Sequence, residues 1–206
     1  HDTQRIRERL VDVFETASFP NITPDERKRL LSFTIIGGGP TGVEFASELN
    51  DFLRSDGRKY YKHLIHDASV TIIQSADHIL NTYDAKLSEY AENHFKRDNI
   101  NVLTNARVTE VKNNSVSVFD KNTKQIYELP FGLCVWATGI AIHPLCEKVV
   151  AKLDAQKNKK ALLCDSYLRV KGVKPNTMFA MGDCATVEQP KTIAKITQLF
   201  SEIDTE

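Results

Sequence analysis

The chain has 206 residues, and its 27 lysine and arginine side chains balance 27 aspartate and glutamate side chains, so its formal net charge at pH 7 is zero. This balance gives no electrostatic reason to expect a nucleic acid or an acidic membrane surface as a partner, and no apolar run approaches the ~20 residues of a membrane-spanning helix. The length suits one large domain or two small ones, and a hydrophobic content of 41% is ordinary for a globular core.

Helices and strands alternate in the first half of the chain. Apolar residues at helical spacing predict helices, and short runs rich in β-branched residues predict buried strands. The predicted helices are two polar pieces within residues 1–30, a helix from 43 to beyond 52 that is interrupted at 55–57, another helical turn or two at 60–66, and a helix at 84–97. The predicted strands between and after them lie at 33–36, 70–73 and 100–103.

Two details of these helices follow from the residue types. The first two helical pieces are separated at Phe19–Ile22, and Thr23 then begins the second piece as its N-cap. Pro24 takes the first helical position, and Glu26 stands in the register of a capping box. The spacing of the helix at 84–97 predicts that it buries Leu87, Tyr90, Ala91, His94 and Phe95.

Short strands replace helices after residue 103. The predicted strands lie at 107–112, 115–119, 125–129 and 133–136. Asn113-Asn114 and Asp120–Thr123 are turn signals between the first three. This order of elements predicts an α/β, Rossmann-like dinucleotide-binding fold with a small antiparallel β-meander on one face.

The strongest local motif is the turn Gly37-Gly38-Gly39-Pro40-Thr41-Gly42, which follows a predicted buried strand and opens a helix. Gly37 permits the tight turn, Gly39 lets backbone amides approach a pyrophosphate, and Gly42 lets the helix pack closely on the strand. The amino end of the helix adds unpaired amides and a partial positive charge, which favour a phosphate. The alternative is a strand-to-helix turn without a ligand.

Gln74 ends the second predicted strand, where dinucleotide-binding folds usually place an acidic residue against the adenosine ribose. A glutamine still bonds a hydroxyl but does not repel a 2′-phosphate. The sequence therefore predicts that NADPH is tolerated, with His78 as the nearest cation along the chain. The alternative is that Gln74 is an uninformative polar loop residue.

Three ordered motifs carry a resemblance to a known family. They are GGGPTGVEFASEL at Gly37–Leu49, WATG at Trp136–Gly139 and FAMGDCA at Phe179–Ala185. Together, in this order and spacing, they resemble the motifs of the type II (alternative, rotenone-insensitive) NAD(P)H:quinone dehydrogenases. The resemblance extends from about residue 4 to residue 189 and implies a Rossmann-like FAD/NAD(P)-binding, two-dinucleotide flavoprotein fold.

The resemblance implies a role for each matching residue. The residues implied to hold the NAD(P)H pyrophosphate are Gly37, Gly38, Gly39, Pro40, Thr41 and Gly42. The residues implied to lie near the rest of this coenzyme are Gln74, Ala137, Thr138 and Gly139. Glu44, expected in the first turn of the following helix, is implied to lie near the nicotinamide as a catalytic residue, although a carboxylate there would also suit the helix dipole. Gly182 and Asp183 are implied to contact FAD, with the Asp183 carboxylate accepting a hydrogen bond from the ribityl chain; the alternative for Asp183 is a turn residue.

The same resemblance implies a domain plan and an activity. The plan is a helical connector from the FAD domain at 1–30, an NAD(P)H-binding Rossmann domain at 31–143, a return into the FAD-binding domain at 144–189 and the start of an insertion at 190–206. The implied activity passes a hydride from NAD(P)H to FAD and then reduces a quinone. The implied location is the mitochondrial inner membrane, on the face toward the intermembrane space, with a peripheral membrane contact outside this chain. A homodimer is one option for the assembly. Because no second G-x-G-x-x-G precedes Gly37, we expect a fragment that is inactive alone.

The end of the chain suggests a calcium site. Ile193, Ile196, Leu199, Phe200 and Ile203 fall on one helical face. Asp204 and Glu206 then resemble the first and third ligands of an EF-hand loop, as in the calcium-responsive external members of the family. The alternative is an ordinary amphipathic helix with an acidic end.

Two other functions stay open at this point. A pyridine-nucleotide disulfide reductase shares the two-domain plan but needs a reactive dithiol. The cysteines form no CxxC pair and no zinc spacing, which predicts reduced, mostly buried thiols at Cys134, Cys146, Cys164 and Cys184. The other alternative is a non-catalytic nucleotide- or calcium-sensing module.

Overall fold

The computed structural model describes residues 2–139, 141–156 and 160–187. The chain divides into two compact units between Thr138 and Gly139. The helices of the first unit are α1 (Asp2–Ala17), α2 (Pro24–Leu30), α3 (Pro40–Phe52), α4 (Arg58–Tyr60) and α5 (Ala85–Arg97). Its strands are β1 (Ser32–Ile36), β2 (Ser69–Ile73), β3 (Ile100–Leu103), β4 (Ala106–Val111), β5 (Ser115–Asp120), β6 (Ile126–Pro130) and β7 (Leu133–Trp136).

A four-stranded parallel sheet forms the centre of the first unit, in the order β3-β2-β1-β7. Phe33, Ile35 and Ile72 are buried in one core with Val13 and Phe14 of α1. Strands that are covered on both faces need apolar side chains at successive positions, which explains the β-branched runs in β1 and β2. The predicted parallel strands are confirmed, and their carboxyl ends meet at one edge of the sheet.

The predicted meander is confirmed as an antiparallel sheet, β4-β5-β6. The turn at Asn113-Asn114 is closed by the Lys112 amide, which donates to the Ser115 carbonyl at 2.9 Å. Asp120 stabilises the next turn, since its carboxylate accepts from the Asn122 amide at 2.7 Å. A second core, which includes Ile36, Ile73, Ala106, Val116 and Val118, packs this sheet on the parallel one.

The predicted start of α2 is confirmed only in part. Thr23 Oγ1 accepts from the Glu26 amide at 3.2 Å, as an N-cap should. The Glu26 carboxylate does not return to Thr23; it forms a bidentate pair with Arg29, at 2.6 and 2.7 Å. This pair holds the pKa of Glu26 below its usual value and removes the reciprocal half of the capping box.

Two expectations for the helices are wrong. The sequence Ser55–Gly57 does not interrupt the helix after β1, because a π-helical turn at Leu53–Gly57 joins α3 to α4. Ser55 donates its hydroxyl to the Asp51 carbonyl, and Gly57 is buried against Ile65, so the polar segment is accommodated within the helix. Between residues 60 and 66 the helical structure is limited to the end of α4 and the start of a single 3₁₀ turn, Ile65–Asp67.

The predicted buried face of α5 is confirmed only in part. Phe95 is buried and Ala91 is half-buried against the core, as predicted, but Leu87 and Tyr90 are 44% and 63% exposed, and His94 is exposed as well. Ser88, which was not predicted to be buried, is buried instead. Apolar spacing missed this position because Ser88 is polar. The Ser88 hydroxyl donates to the Leu80 carbonyl at 3.3 Å, and this bond lets a polar side chain lie against the sheet.

The second unit contains α6 (Pro144–Lys152) and a parallel pair of strands, β8 (Leu162–Cys164) and β9 (Ala185–Val187). The sequence did not predict α6, which begins at His143, whose Nδ1 accepts from the Leu145 amide at 3.2 Å. Gln156 is buried and bonds the Leu163 amide and carbonyl, at 2.7 and 3.1 Å. Within the described ranges of both units, no helix combines the length and apolar character needed to cross a bilayer.

Candidate functional site

The glycine turn lies where the carboxyl ends of three parallel strands meet. Gly37 follows β1 with a φ of +117°, a conformation that glycine adopts without steric cost. Its amide donates to the Ile73 carbonyl at the end of β2, at 2.9 Å. A Cβ atom on Gly37 would come within 2.7 Å of the Ala137 carbonyl oxygen, just beyond β7. Gly37 therefore allows the ends of β1, β2 and β7 to meet.

Gly42 and Gly39, two of the other three glycines of the motif, differ in what surrounds them. A Cβ atom on Gly42 would overlap the Gly37 carbonyl oxygen, so Gly42 is required for the contact between α3 and the turn. A Cβ atom on Gly39 would meet no protein atom within 4 Å. Gly39 is the N-cap of α3, and it has no side chain to cap the first helical amides. The space over Gly39 and the amino end of α3 fits a phosphate group.

Gln74 contacts the glycine turn directly. Its Oε1 accepts from the Gly38 amide, and its Nε2 donates to the His78 carbonyl, both at 3.2 Å. The side chain thus connects the glycine turn to the loop that follows β2. Gln74 directly follows β2, and its predicted contact with the adenosine ribose stays a prediction.

A cavity of about 300 Å³ opens beside this contact. Its lining includes Ile36, Gln74, Ser75, Arg107, Trp136 and Thr138, which come from β1, β4, β7 and the segments that follow β2 and β7. Crevices at the carboxyl ends of parallel strands are the usual ligand sites of open α/β sheets. Of the residues implied by the resemblance, the structure brings Gln74 and Thr138 to this cavity.

Sequence reasoning missed the cations near Gln74. The imidazole of His78, the nearest one along the chain, lies 3.3 Å from the Glu92 carboxylate, and only the backbone carbonyl of His78 contacts Gln74. The meander instead brings Arg107 to the cavity and Lys121 to the Ser75 carbonyl. Both are more than 30 positions from Gln74 in the chain, so only the pairing of β-strands reveals them.

Glu44 is the fifth residue of α3, beyond the first turn in which it was expected, and its side chain is exposed. The effect of the helix dipole is confined to the first turn. A favourable interaction with the dipole therefore does not explain Glu44, and its implied role near the nicotinamide stays a prediction.

Gly139, Gly182 and Asp183 belong to the second unit. Gly139 and Gly182 have φ values of +72° and +73°, and a Cβ atom on either would meet no protein atom within 4 Å. Asp183 is exposed in the 3₁₀ turn Gly182–Cys184. Their implied contacts with the coenzymes stay predictions. The residues suggested as calcium ligands, Asp204 and Glu206, lie outside the described residues.

The four cysteines are free thiols, of which Cys146 and Cys164 are buried. Burial raises the pKa of the Cys134 thiol to about 11 and is the main reason that the pKa values of Cys146 and Cys164 are raised. Thiols with raised pKa values are poor nucleophiles at neutral pH. Among the described residues, no group of three or more His, Cys, Asp or Glu side chains could hold a metal ion.

Comparison with known proteins gives consistent results. Residues 1–198 match the profile of the family described as pyridine nucleotide-disulphide oxidoreductase. The chain is 41% identical over 203 residues to the external alternative NAD(P)H-ubiquinone oxidoreductase B1, mitochondrial, of Solanum tuberosum, covering 98% of this chain and 35% of that protein. It is 37% identical over 195 residues to the external alternative NADH-ubiquinone oxidoreductase, mitochondrial, of Yarrowia lipolytica, covering 93% of this chain and 33% of that protein.

The solved structure of NDH2 from Plasmodium falciparum in complex with NADH superposes with a TM-score of 0.83 at 33% identity, covering 95% of this chain and 41% of that one. These matches confirm the predicted Rossmann-like FAD/NAD(P)-binding fold and the resemblance to the alternative dehydrogenases. The chain spans about a third of the length of the curated relatives that it matches. With a family profile that matches nearly its whole length, the chain belongs to the pyridine nucleotide-disulphide oxidoreductase family.

Proposed function

We propose that this chain is the NAD(P)H-binding portion of a flavoprotein that oxidises NAD(P)H and reduces a quinone. The observation that carries the proposal is the contrast within the glycine turn. Gly37 and Gly42 are enclosed by protein, whereas the space over Gly39 is open toward the uncapped amino end of α3. Protein packing does not account for a glycine at position 39, and a bound pyrophosphate does.

Each part of the site then has a role in holding the coenzyme. The glycine turn and the amino end of α3 bind the pyrophosphate, and Gln74 bonds a ribose hydroxyl. Thr138 and the backbone of Ala137 position the coenzyme beside β7, and Glu44 lies near the nicotinamide. Hydride transfer is chemistry that nicotinamide and FAD supply when bound, while the protein supplies orientation and excludes water.

The second unit supports a flavin site at Gly182 and Asp183. Phe179 and Met181, just before this turn, are 54% and 69% exposed. Large apolar side chains that are exposed together often mark a binding surface. We infer that FAD covers this surface and that the Asp183 carboxylate accepts a hydrogen bond from its ribityl chain.

The test of the proposed function uses the full-length protein purified with its flavin. We expect NADH-dependent reduction of a soluble ubiquinone analogue. Asp183→Ala should lower the affinity for FAD about tenfold or more, because a charged hydrogen-bond acceptor is lost. Asp154→Ala is the matched control, since Asp154 is an exposed aspartate in another turn of the same unit.

NADH binding without flavin reduction would contradict the proposed activity and favour a sensing module. Transfer of electrons to a disulfide instead of the quinone would favour a disulfide reductase. The raised pKa values of three cysteines argue against that function.

We further propose a peripheral location on the mitochondrial inner membrane, facing the intermembrane space, with membrane contact through a part of the protein outside this chain. The support is that the similar plant and yeast proteins are named external and mitochondrial. A homodimer is also consistent with this assignment, and sedimentation of the full-length protein tests it.

We propose calcium activation through Asp204 and Glu206. Micromolar calcium should raise NAD(P)H oxidation by the full-length protein several-fold, a chelator should reverse the rise, and Asp204→Asn should abolish it. Glu202→Gln, which removes a charge just before the loop, should leave the response intact. A sequence after Glu206 without glycine at the sixth loop position and an acidic residue at the twelfth would rule out this site.

A further inference from the structure

The meander is fixed to the end of β2 by main-chain hydrogen bonds. The Gln74 amide donates to the Leu103 carbonyl at 2.8 Å, and the Ala106 amide donates to the Gln74 carbonyl at 3.0 Å. The Asn105 amide also donates to the Ala76 carbonyl at 2.8 Å. The first residues of β4 are therefore held at a fixed position beside the residue that ends β2.

This register places two positive charges next to Ser75. Arg107 follows Ala106, is exposed and lines the cavity with Gln74 and Ser75. Lys121, in the turn after β5, donates from Nζ to the Ser75 carbonyl and from its amide to the Asn105 carbonyl, the latter at 2.9 Å. Ser75 itself is exposed, and its hydroxyl adds a hydrogen-bond donor.

Among the described residues, the lining of the cavity carries a positive side chain and no negative one. Arg107 is the only charged residue among those that line it in the described part of the chain. No described carboxylate forms an ion pair with Arg107. Glu92, the carboxylate near the following loop, already accepts from the Ile79 amide at 3.1 Å and pairs with His78. A guanidinium without a carboxylate partner is available to an anion.

We propose that Arg107, Lys121 and Ser75 form a subsite for the 2′-phosphate of NADPH. The residue that ends β2 in this fold contacts the 2′ position of the adenosine ribose, so a phosphate there lies beside Gln74 and Ser75. The planar guanidinium of Arg107 suits bidentate binding of phosphate, and Lys121 adds a second positive charge. Gln74 carries no charge and therefore does not repel this phosphate. This inference rests on the proposed binding of NAD(P)H at the glycine turn.

The test measures the dissociation constants of NADPH and NADH for the full-length protein by titration. Arg107→Gln should raise the Kd for NADPH about tenfold to a hundredfold, because a charge contact with phosphate is lost, and should change the Kd for NADH by less than about threefold. Arg107→Lys keeps the charge but loses the bidentate geometry, so its NADPH affinity should lie between those of the wild type and Arg107→Gln, which separates loss of charge from misfolding. Gln74→Glu should also disfavour NADPH, since it places a carboxylate beside the phosphate.

Arg58→Gln is the matched control because Arg58 is an exposed arginine on α4 and does not line the cavity. It should leave both constants unchanged. Equal effects of Arg107→Gln on the two coenzymes, or no effect on either, would overturn the subsite while leaving the proposed function standing. Failure of the wild-type protein to bind NADH would instead overturn the proposed function and this inference with it.

Discussion

Replacing Gly39 with valine should weaken NADH binding at least about a hundredfold and leave the fold intact. A valine side chain would occupy the open space over the turn, where the pyrophosphate is proposed to lie, because no protein atom lies within 4 Å of a Cβ atom there. The backbone at Gly39, with φ −75° and ψ 177°, is extended and suits a β-branched residue. The loss should therefore appear in binding and not in stability.

Nicotinamide fluorescence during titration with NADH measures this binding, and thermal unfolding followed by circular dichroism measures the stability of the same samples. Ala85→Val is the matched control, because Ala85 is an exposed residue at the amino end of another helix, α5, and this change adds a branched side chain outside the assigned site. If Gly39→Val binds NADH as well as the wild type does, the pyrophosphate does not lie over Gly39 and the assigned site is wrong.

Replacing Gly42 with alanine should have the opposite pattern, with a large loss of stability. The added Cβ atom would overlap the Gly37 carbonyl oxygen, a backbone atom at the end of β1 that cannot rotate away. Overpacking of this kind costs about 3 kcal/mol, which exceeds the roughly 1 kcal/mol that alanine gains over glycine as a helix former. For a chain of this size the net loss of about 2 kcal/mol corresponds to a fall in Tm of about 4 to 8 °C.

Thermal unfolding of Gly42→Ala beside Gly39→Ala provides the comparison, since both variants add one methyl group to the same motif. Gly39→Ala should unfold at or near the wild-type temperature. Equal Tm values for the two variants would show that α3 shifts to accommodate the methyl group at position 42. The contact between α3 and the turn would then not require a glycine there.

Much of the fold could be predicted because its signals are local. The apolar runs of β1 and β2, the turn residues Asn113-Asn114 and the N-cap Thr23 each act on their own neighbourhood. The glycine turn was likewise predictable, since its three spaced glycines follow a buried strand. Such features are encoded within a few residues of where they act.

The errors in the helices arise where a polar side chain has a partner that the apolar pattern does not show. The face of α5 was misassigned in part because the buried Ser88 is satisfied by the Leu80 carbonyl, which spacing does not reveal. The cations of the candidate site were missed for a different reason, since Arg107 comes to the same cavity as Gln74 only through the register of the meander. Main-chain hydrogen bonds between segments far apart in the chain decide the position of Arg107.

The attachment of the meander has a consequence for how this site can evolve. Main-chain groups of Leu103, Asn105 and Ala106 hold it to the end of β2, and main-chain bonds do not depend on which side chains follow. The side chain of Arg107 is exposed and unpaired among the described residues, so it can be exchanged with little effect on folding. If the proposed subsite binds the 2′-phosphate, a substitution at position 107 can therefore change the preference between NADH and NADPH without any change in the glycine turn.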